Sequence, residues 1–239
     1  MTSPDGPIAI LGAMAEELAA LLEVLEERSD RRVSGHDLHS GRLEGRHVLL
    51  GLCGIGKVNA AATAQLMALE QPRALIFTGV AGALDPGLDV GDIVVASDAV
   101  QHDVDVSALG YEPGRIPGEP LAWPSDPALI DLAVAAAAEL TDVRVERGRV
   151  ASGDQFVADR DRTASLRERF GASCVEMEGA AVAQVCARAG LPFVIIRSIS
   201  DNADHDAEVS FREFTLLAAG RAKALVRALL RTMPVAASP

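Results

Sequence analysis

Short apolar runs that do not alternate with polar residues are the feature that most restricts what this chain can fold into. The segments 8–11, 48–52, 74–77 and 193–199 each read as strands without an exposed face. A strand buried on both sides needs a layer of helices above and below it. The intervening segments supply such helices, with helical patterns over about 15–26, 57–69, 127–139, 160–170, 179–189 and 211–230. Asp92 to Ala96 begins a further strand, and Val150 closes another. Strands and helices in alternation predict an α/β fold on a mostly parallel sheet. At 239 residues, with no internal repeat and no low-complexity linker, one domain accounts for the whole chain. The stretch from Val104 to Trp123 is irregular and rich in proline and glycine, as functional or interface loops of this length are. The last residues, 234–239, are expected to fray.

Charge and composition narrow the partners. The net charge is −12, and aromatic residues are only 3% of the chain. Excess acid repels phosphate backbones and anionic lipid, and so few aromatics make stacked single strands a poor ligand. Neither nucleic acid nor a membrane is therefore expected as a partner. No apolar run approaches the ~18 residues of a membrane span. The first residues show neither the basic nor the apolar region of a signal peptide. Cys53, Cys174 and Cys186 cannot pair evenly and sit in or beside apolar stretches, which reads as reduced thiols. A cytoplasmic location is expected.

In open α/β sheets, ligands bind beyond the carboxyl ends of strands. The polar residues there are Glu17, Gly54 to Gly56, Thr78 to Gly82, Ser152 to Val157, Glu176 to Glu178, and Ser200 with Asp201. Acids without clustered bases suit proton transfer, sugar hydroxyls or a developing cation better than they suit phosphate. Glu17 stands at a helix start, where an acid also complements the helix dipole. Glu176 and Glu178 flank Met177 beside an apolar helix, so each needs a partner or a ligand. Asp201 ends a fully apolar strand, where an idle carboxylate is costly.

Other motifs fall short of a chemistry. Gly51 to Val58 comes within one residue of a phosphate-binding P-loop, but Val58 stands where Ser or Thr must hold Mg²⁺. A glycine turn before a helix, or a backbone lining for an uncharged ligand, fits better. His102 to Asp105 and Asp201 to Asp206 carry metal-type side chains, but neither has the glycine of an EF-hand loop. No metal and no cofactor is expected. A Gly-x-Ser-x-Gly elbow is absent, so acyl transfer lacks support.

Seven segments in order carry a family likeness: ILGAMAEE (10–17), GIGK (54–57), TGVAG (78–82), GDIVV (91–95), SGDQF (152–156), VEME (175–178) and RSISD (197–201). HDVDVSALGY (102–111) and Pro117-Gly118 extend it. The chain resembles the nucleoside phosphorylase/nucleosidase superfamily over about residues 7–231, and within it the 5′-methylthioadenosine/S-adenosylhomocysteine nucleosidases. The resemblance implies a single domain with a central mixed, partly barrel-like sheet surrounded by helices, and a homodimer. It implies hydrolysis of the adenine N-glycosidic bond. By motif position, Glu17 would activate the attacking water and Asp201 would protonate adenine N7, oriented by Ser200. Glu178 would bind the ribose hydroxyls, with Met177 against the sugar. Phe156 would stack on adenine, the backbone of Phe156 and Val157 would read its edge, and Phe211 would cover the ligand. Ala13, Met14, Ile55 and Val80 would line the pocket. The loop around Leu109 to Pro117 would reach the partner's site.

Two positions depart from the family pattern. Val80 stands where many members carry serine, so a polar contact near the water is either lost or supplied by backbone. Leu109 is aromatic in some relatives, which bears on the 5′ substituent. Lys57 belongs to a shared motif without an assigned catalytic role. A phosphorolytic purine nucleoside phosphorylase is the first alternative, disfavoured because the first loop holds acids where phosphorolytic relatives carry arginine. An aminofutalosine-type nucleosidase is the second. A noncatalytic nucleoside-binding module would not need Glu17, Glu178 and Asp201 together.

Overall fold

A computed structural model of the chain describes residues 5–141, 143–204 and 207–234. The expected fraying of 234–239 falls, beyond Pro234, outside the described residues. In chain order the elements are β1 (Ile8–Gly12), α1 (Ala15–Leu22), β2 (Glu26–Val33), β3 (His36–Leu43), β4 (Arg46–Leu52), α2 (Lys57–Leu69), β5 (Ala74–Ala83), β6 (Ile93–Gln101), β7 (Ala122–Pro124), α3 (Pro127–Ala137), β8 (Val145–Ser152), α4 (Arg160–Phe170), β9 (Ala172–Glu176), α5 (Gly179–Ala189), β10 (Phe193–Asp201) and α6 (Ala207–Thr232). A short 3₁₀ turn at Ser107–Leu109 interrupts the long irregular loop.

The apolar runs do form strands buried on both faces. Ile8, Ile10, Leu50 and Ile76 pack into one core with α1, α3 and α6. Their neighbours Ala9, Leu11, Leu75 and Phe77 pack into another with α2 and α5. Two cores, one on each side of the same strands, are why no polar alternation is visible. The sheet is nevertheless not mostly parallel, as the run pattern alone suggested. Among the described residues its ten pairings divide evenly between parallel and antiparallel. It is the mixed, partly barrel-like sheet that the family resemblance implies.

Closure comes from β5. Its first residues, 74–77, lie between β1 and β10, both parallel to it. β1 ends at Gly12, and the freed edge of β5 is next engaged by β9, antiparallel at Gly82 and Ala83. The ring β5–β10–β6–β8–β9 then returns to β5. Between the end of β1 and the start of the β9 pairing, residues 78–81 present an unpaired edge. That gap is where the site forms.

Four strands, β2, β3, β7 and β9, were not legible. The helix expected over 15–26 stops at Leu22, and Glu26 begins β2. β2 is almost wholly exposed, and with β3 it makes an antiparallel ribbon at the end of the sheet. Its stability comes from cross-strand pairs such as Arg32–Asp37 at 3.2 Å and Asp30–His39 at 2.8 Å, not from an apolar face. A charged edge of this kind also discourages strand addition by other chains. β9, only five residues long, was hidden between a charged helix and the Glu176–Glu178 segment.

Candidate active site

Every predicted site residue borders one cavity of about 340 Å³. Ala13, Met14 and Glu17 come from the β1–α1 junction, Ile55 from the turn after β4, and Val80 from the unpaired stretch of β5. Phe156 and Val157 follow β8, Met177 and Glu178 follow β9, Ser200 and Asp201 end β10, and Phe211 stands on α6. Phe156 and Phe211 meet edge to face with centroids 5.7 Å apart, closing one side of the cavity. Five further residues share the wall: Ala81, Gly82, Gln155, Val175 and Glu176.

Glu17 shows why a helix-start acid can be more than a cap. Its carboxylate accepts the N–H groups of Ala13 (2.6 Å) and Met14 (2.9 Å), which does satisfy the first turn of α1. It also accepts the N–H of Val80 at 3.2 Å, the donor left on the β5 edge where β1 has ended. Backbone thus supplies the polar contact that the Val80 side chain lacks. Burial pushes the Glu17 carboxyl up, while Arg197 and the three N–H donors pull it back down.

Asp201 accepts Ser200 Oγ on Oδ2 (2.8 Å) and the Ala203 N–H on Oδ1 (2.8 Å). Burial raises its proton affinity, and these two hydrogen bonds oppose the rise. Glu178 accepts the N–H of Gly56 at 2.7 Å. The glycine turn that mimics a P-loop therefore spends an amide on a carboxylate, with Gly54 and Gly56 at φ of +84° and +97°. Burial first, and then the charge of Glu176, push the Glu178 carboxyl up to about 7.

The neighbouring acids thus part company. Glu178 faces the cavity, whereas Glu176 finds a partner in Arg197 at 2.6 Å, both almost fully buried. Glu176 also accepts the N–H groups of Glu178 and Gly179 and the hydroxyl of Ser152. Burial works against the Arg197 charge, but Glu176, Glu17 and Glu178 outweigh it, and Phe77 lies beneath the guanidinium at 4.0 Å. Sequence reasoning gave Arg197 no role, although a lone arginine in an otherwise apolar strand was the available signal. Ser152 and Gln155 lay within the strand-end segment 152–157 singled out from the sequence, but no individual role was read for either.

Lys57 is engaged outside the cavity. Its Nζ donates to Asp103 (2.6 Å) and Gln101 (3.0 Å), and its N–H to Asp154 (2.8 Å). This occupies Asp103, one of the metal-type side chains of the 102–105 segment. In the other such segment, Asp201 faces the cavity and Asp204 pairs with Arg160 at 3.3 Å, while His205 and Asp206 lie outside the described residues. Among the described residues no group of three or more His, Cys, Asp or Glu is placed to hold a metal ion.

A cavity lined by Glu17, Glu178 and Asp201, with the buried Arg197 behind it already paired, can protonate a leaving group, hold hydroxyls and orient water. Among the described residues its lining offers a dianion no free positive charge. Comparison with known proteins agrees with this chemistry. The sequence model of the Phosphorylase superfamily matches residues 7–231. A 5′-methylthioadenosine/S-adenosylhomocysteine nucleosidase of Chromohalobacter salexigens is 43% identical over 231 residues, covering 96% of this chain and 98% of that one. The crystal structure of such a nucleosidase from Neisseria meningitidis, in complex with methylthio-immucillin-A, superposes with a TM-score of 0.93 at 39% identity, covering 95% of this chain and all of the other. A futalosine hydrolase mutant of Helicobacter pylori superposes with a TM-score of 0.92 at 36% identity, with 95% and 100% covered.

Proposed function

The chain belongs to the Phosphorylase superfamily, within it to the 5′-methylthioadenosine/S-adenosylhomocysteine nucleosidases, and from that premise we propose how its own residues carry the reaction. It hydrolyses the N-glycosidic bond of 5′-methylthioadenosine and S-adenosylhomocysteine, releasing adenine and the thioribose product. The observation that carries the mechanism is the convergence of Glu17, Glu178 and Asp201 on one cavity.

Breaking the C1′–N9 bond leaves cationic character on the ribose and negative charge on the base. Adenine departs readily only when N7 is protonated. Asp201 donates that proton, and burial favours its protonated form relative to a free aspartic acid, whose value is ~3.9. Acid assistance of this kind is worth about 10²–10⁴ in rate. Ser200 orients the carboxyl. Glu17, held by three backbone N–H groups, aims and deprotonates the water, which turns a solvent encounter into an oriented attack. Glu178 holds the ribose hydroxyls and stabilises the oxocarbenium-like state more than the ground state. Met177 lies against the sugar, and Ala13, Met14, Ile55 and Val80 complete the lining. Phe156 stacks on adenine, its backbone and that of Val157 read the base edge, and Phe211 covers the ligand.

The working assembly in this reading is a homodimer. Val58 and Leu109 are 79% and 71% exposed, and the Lys57–Asp103 pair brings the segments that carry them together. Exposed apolar side chains such as these suit contact with a second copy, with the 109–117 loop reaching the partner's cavity. Three buried, unpaired cysteines fit a cytoplasmic enzyme, and its products suit methionine salvage. No described helix is long and apolar enough to cross a membrane.

A second reading, an aminofutalosine-type nucleosidase, is favoured by the fold likeness to a futalosine hydrolase. Its substrate shares the adenine–ribose half and differs at the 5′ end. A substrate panel run with and without phosphate tests all of this. Free methylthioribose from methylthioadenosine is the expected product. Methylthioribose 1-phosphate would establish the phosphorolytic alternative, and turnover of aminofutalosine alone would establish the second reading.

A further inference from the structure

The loop that leaves Asp201 is fastened from outside the cavity. Ala203 is fully buried and adopts φ of +51°, in the left-handed region that a Cβ disfavours. Its N–H donates to Asp201 Oδ1 at 2.8 Å. Its carbonyl accepts Thr163 Oγ1 at 2.6 Å, from the first turn of α4. One turn thus links a helix that does not enter the cavity to the carboxyl group that does. Arg160, also at the start of α4, reaches Asp204 in the same loop at 3.3 Å. The space is tight: a Cβ on Gly82 would stand 2.7 Å from Asp201 Oδ1 and 3.0 Å from the Ala203 Cβ.

We propose that Thr163 is a positioning residue for Asp201, acting through Ala203: by holding the Ala203 carbonyl it keeps the left-handed turn closed and the Ala203 N–H on Oδ1. The inference rests on Asp201 being the proton donor to the departing base. A turn that an alanine adopts against its own preference persists only while its surroundings over-determine it. The Thr163 hydroxyl is the bond at its far end. Without it the turn relaxes, the N–H leaves Oδ1, and the carboxyl loses its aim at N7. That N–H favours the ionised carboxylate, so its loss also raises the proton affinity of Asp201. Among the described residues, the charged groups on the same loop, on α4 and on the cavity wall are Asp204, Arg160, and Glu17, Glu176 and Glu178.

The test measures kcat and KM for adenine release from methylthioadenosine across pH, in the parent, Thr163→Val, Thr163→Ser and Asp201→Asn. Valine keeps the shape and removes the hydroxyl; serine keeps the hydroxyl. The expected result for Thr163→Val is a kcat about tenfold lower, with KM little changed and the alkaline limb moved to higher pH, because displacement of an aimed group acts on kcat. Thr163→Ser should restore both. Parent-like kcat and pH limb in Thr163→Val, or equal impairment in both Thr163 variants, would overturn the proposal. So would a crystal structure of Thr163→Val with the turn at Ala203 unchanged. Asp201→Asn separates the two levels. Full activity in that variant removes the premise, whereas an inactive Asp201→Asn beside a parent-like Thr163→Val removes only the role of Thr163.

Discussion

Arg197 Nη1 and Glu17 Oε1 converge on one empty spot, each 2.7 Å from where a Cβ on Gly79 would stand. The cation lies behind the carboxylate that the proposed mechanism uses as a base. Burial raises the proton affinity of Glu17, which works against the ionised form that a base must start from. The nearby guanidinium opposes that rise without entering the cavity, because Glu176 holds it from the other side. Gly79 is what lets the two approach.

Gly79→Ala should therefore damage catalysis as well as folding. A methyl group at that position pushes Glu17 and Arg197 apart. Misplacement of a catalytic group by about 1 Å costs about 10² in rate, whereas overpacking costs about 1–3 kcal/mol. Steady-state kinetics beside a denaturant titration separate the two effects. An unchanged kcat in Gly79→Ala would show that the gap at Gly79 does not matter.

Arg197→Met leaves Glu176 buried without its partner. Breaking a buried pair from one side costs about 3–5 kcal/mol, while replacing both partners with apolar groups is often close to neutral. Arg197→Met alone should lower the urea midpoint sharply, and the double variant Arg197→Met/Glu176→Leu should recover much of the loss. Equal instability of the single and double variants would mean that the surrounding N–H and hydroxyl donors, not the pair, dominate at this position.

Glu178 gives stability a pH dependence whose sign follows from its shift. Its carboxyl rises from 4.5 to about 7 on folding. The folded state therefore holds the proton more tightly, and stability falls as pH rises from about 4.5 to about 7. Glu178→Gln removes that charge while keeping an acceptor for the Gly56 N–H. The variant should match the parent near pH 4 and exceed it by roughly 3 kcal/mol above pH 7. Thermal melts of the unliganded proteins between pH 4 and 8 check this. A difference that is constant over the range would assign the effect to packing.

Light scattering should give twice the 25.0 kDa of the chain. Val58→Asp places a charge on an exposed apolar residue and should shift the protein toward monomer with a parallel loss of activity. A fully active monomer would end the proposal that the 109–117 loop completes the partner's cavity.

Helix positions were largely legible because their signals are local. Alanine-rich periodicity marks α2 and α5, whose bounds match the sequence reading, and the Asp159 cap and Gly171 stop frame α4. The polar ribbon of β2 was not legible, because its support is a cross-strand neighbour and not a pattern within itself.

The sequence by itself determined the buried strands, the helices that cover them and the acids at the strand ends, since each depends on neighbours a few residues away. Through its ordered motifs it also carried the family. What only the tertiary structure decided is which acid faces what. Glu176 and Glu178 are two residues apart and chemically identical and both border the cavity, yet only Glu176 is tied to Arg197, while Glu178 accepts the Gly56 N–H. That division arises where β5 leaves β1 for β9 and closes the barrel, a contact between strands about ninety residues apart that no local pattern encodes.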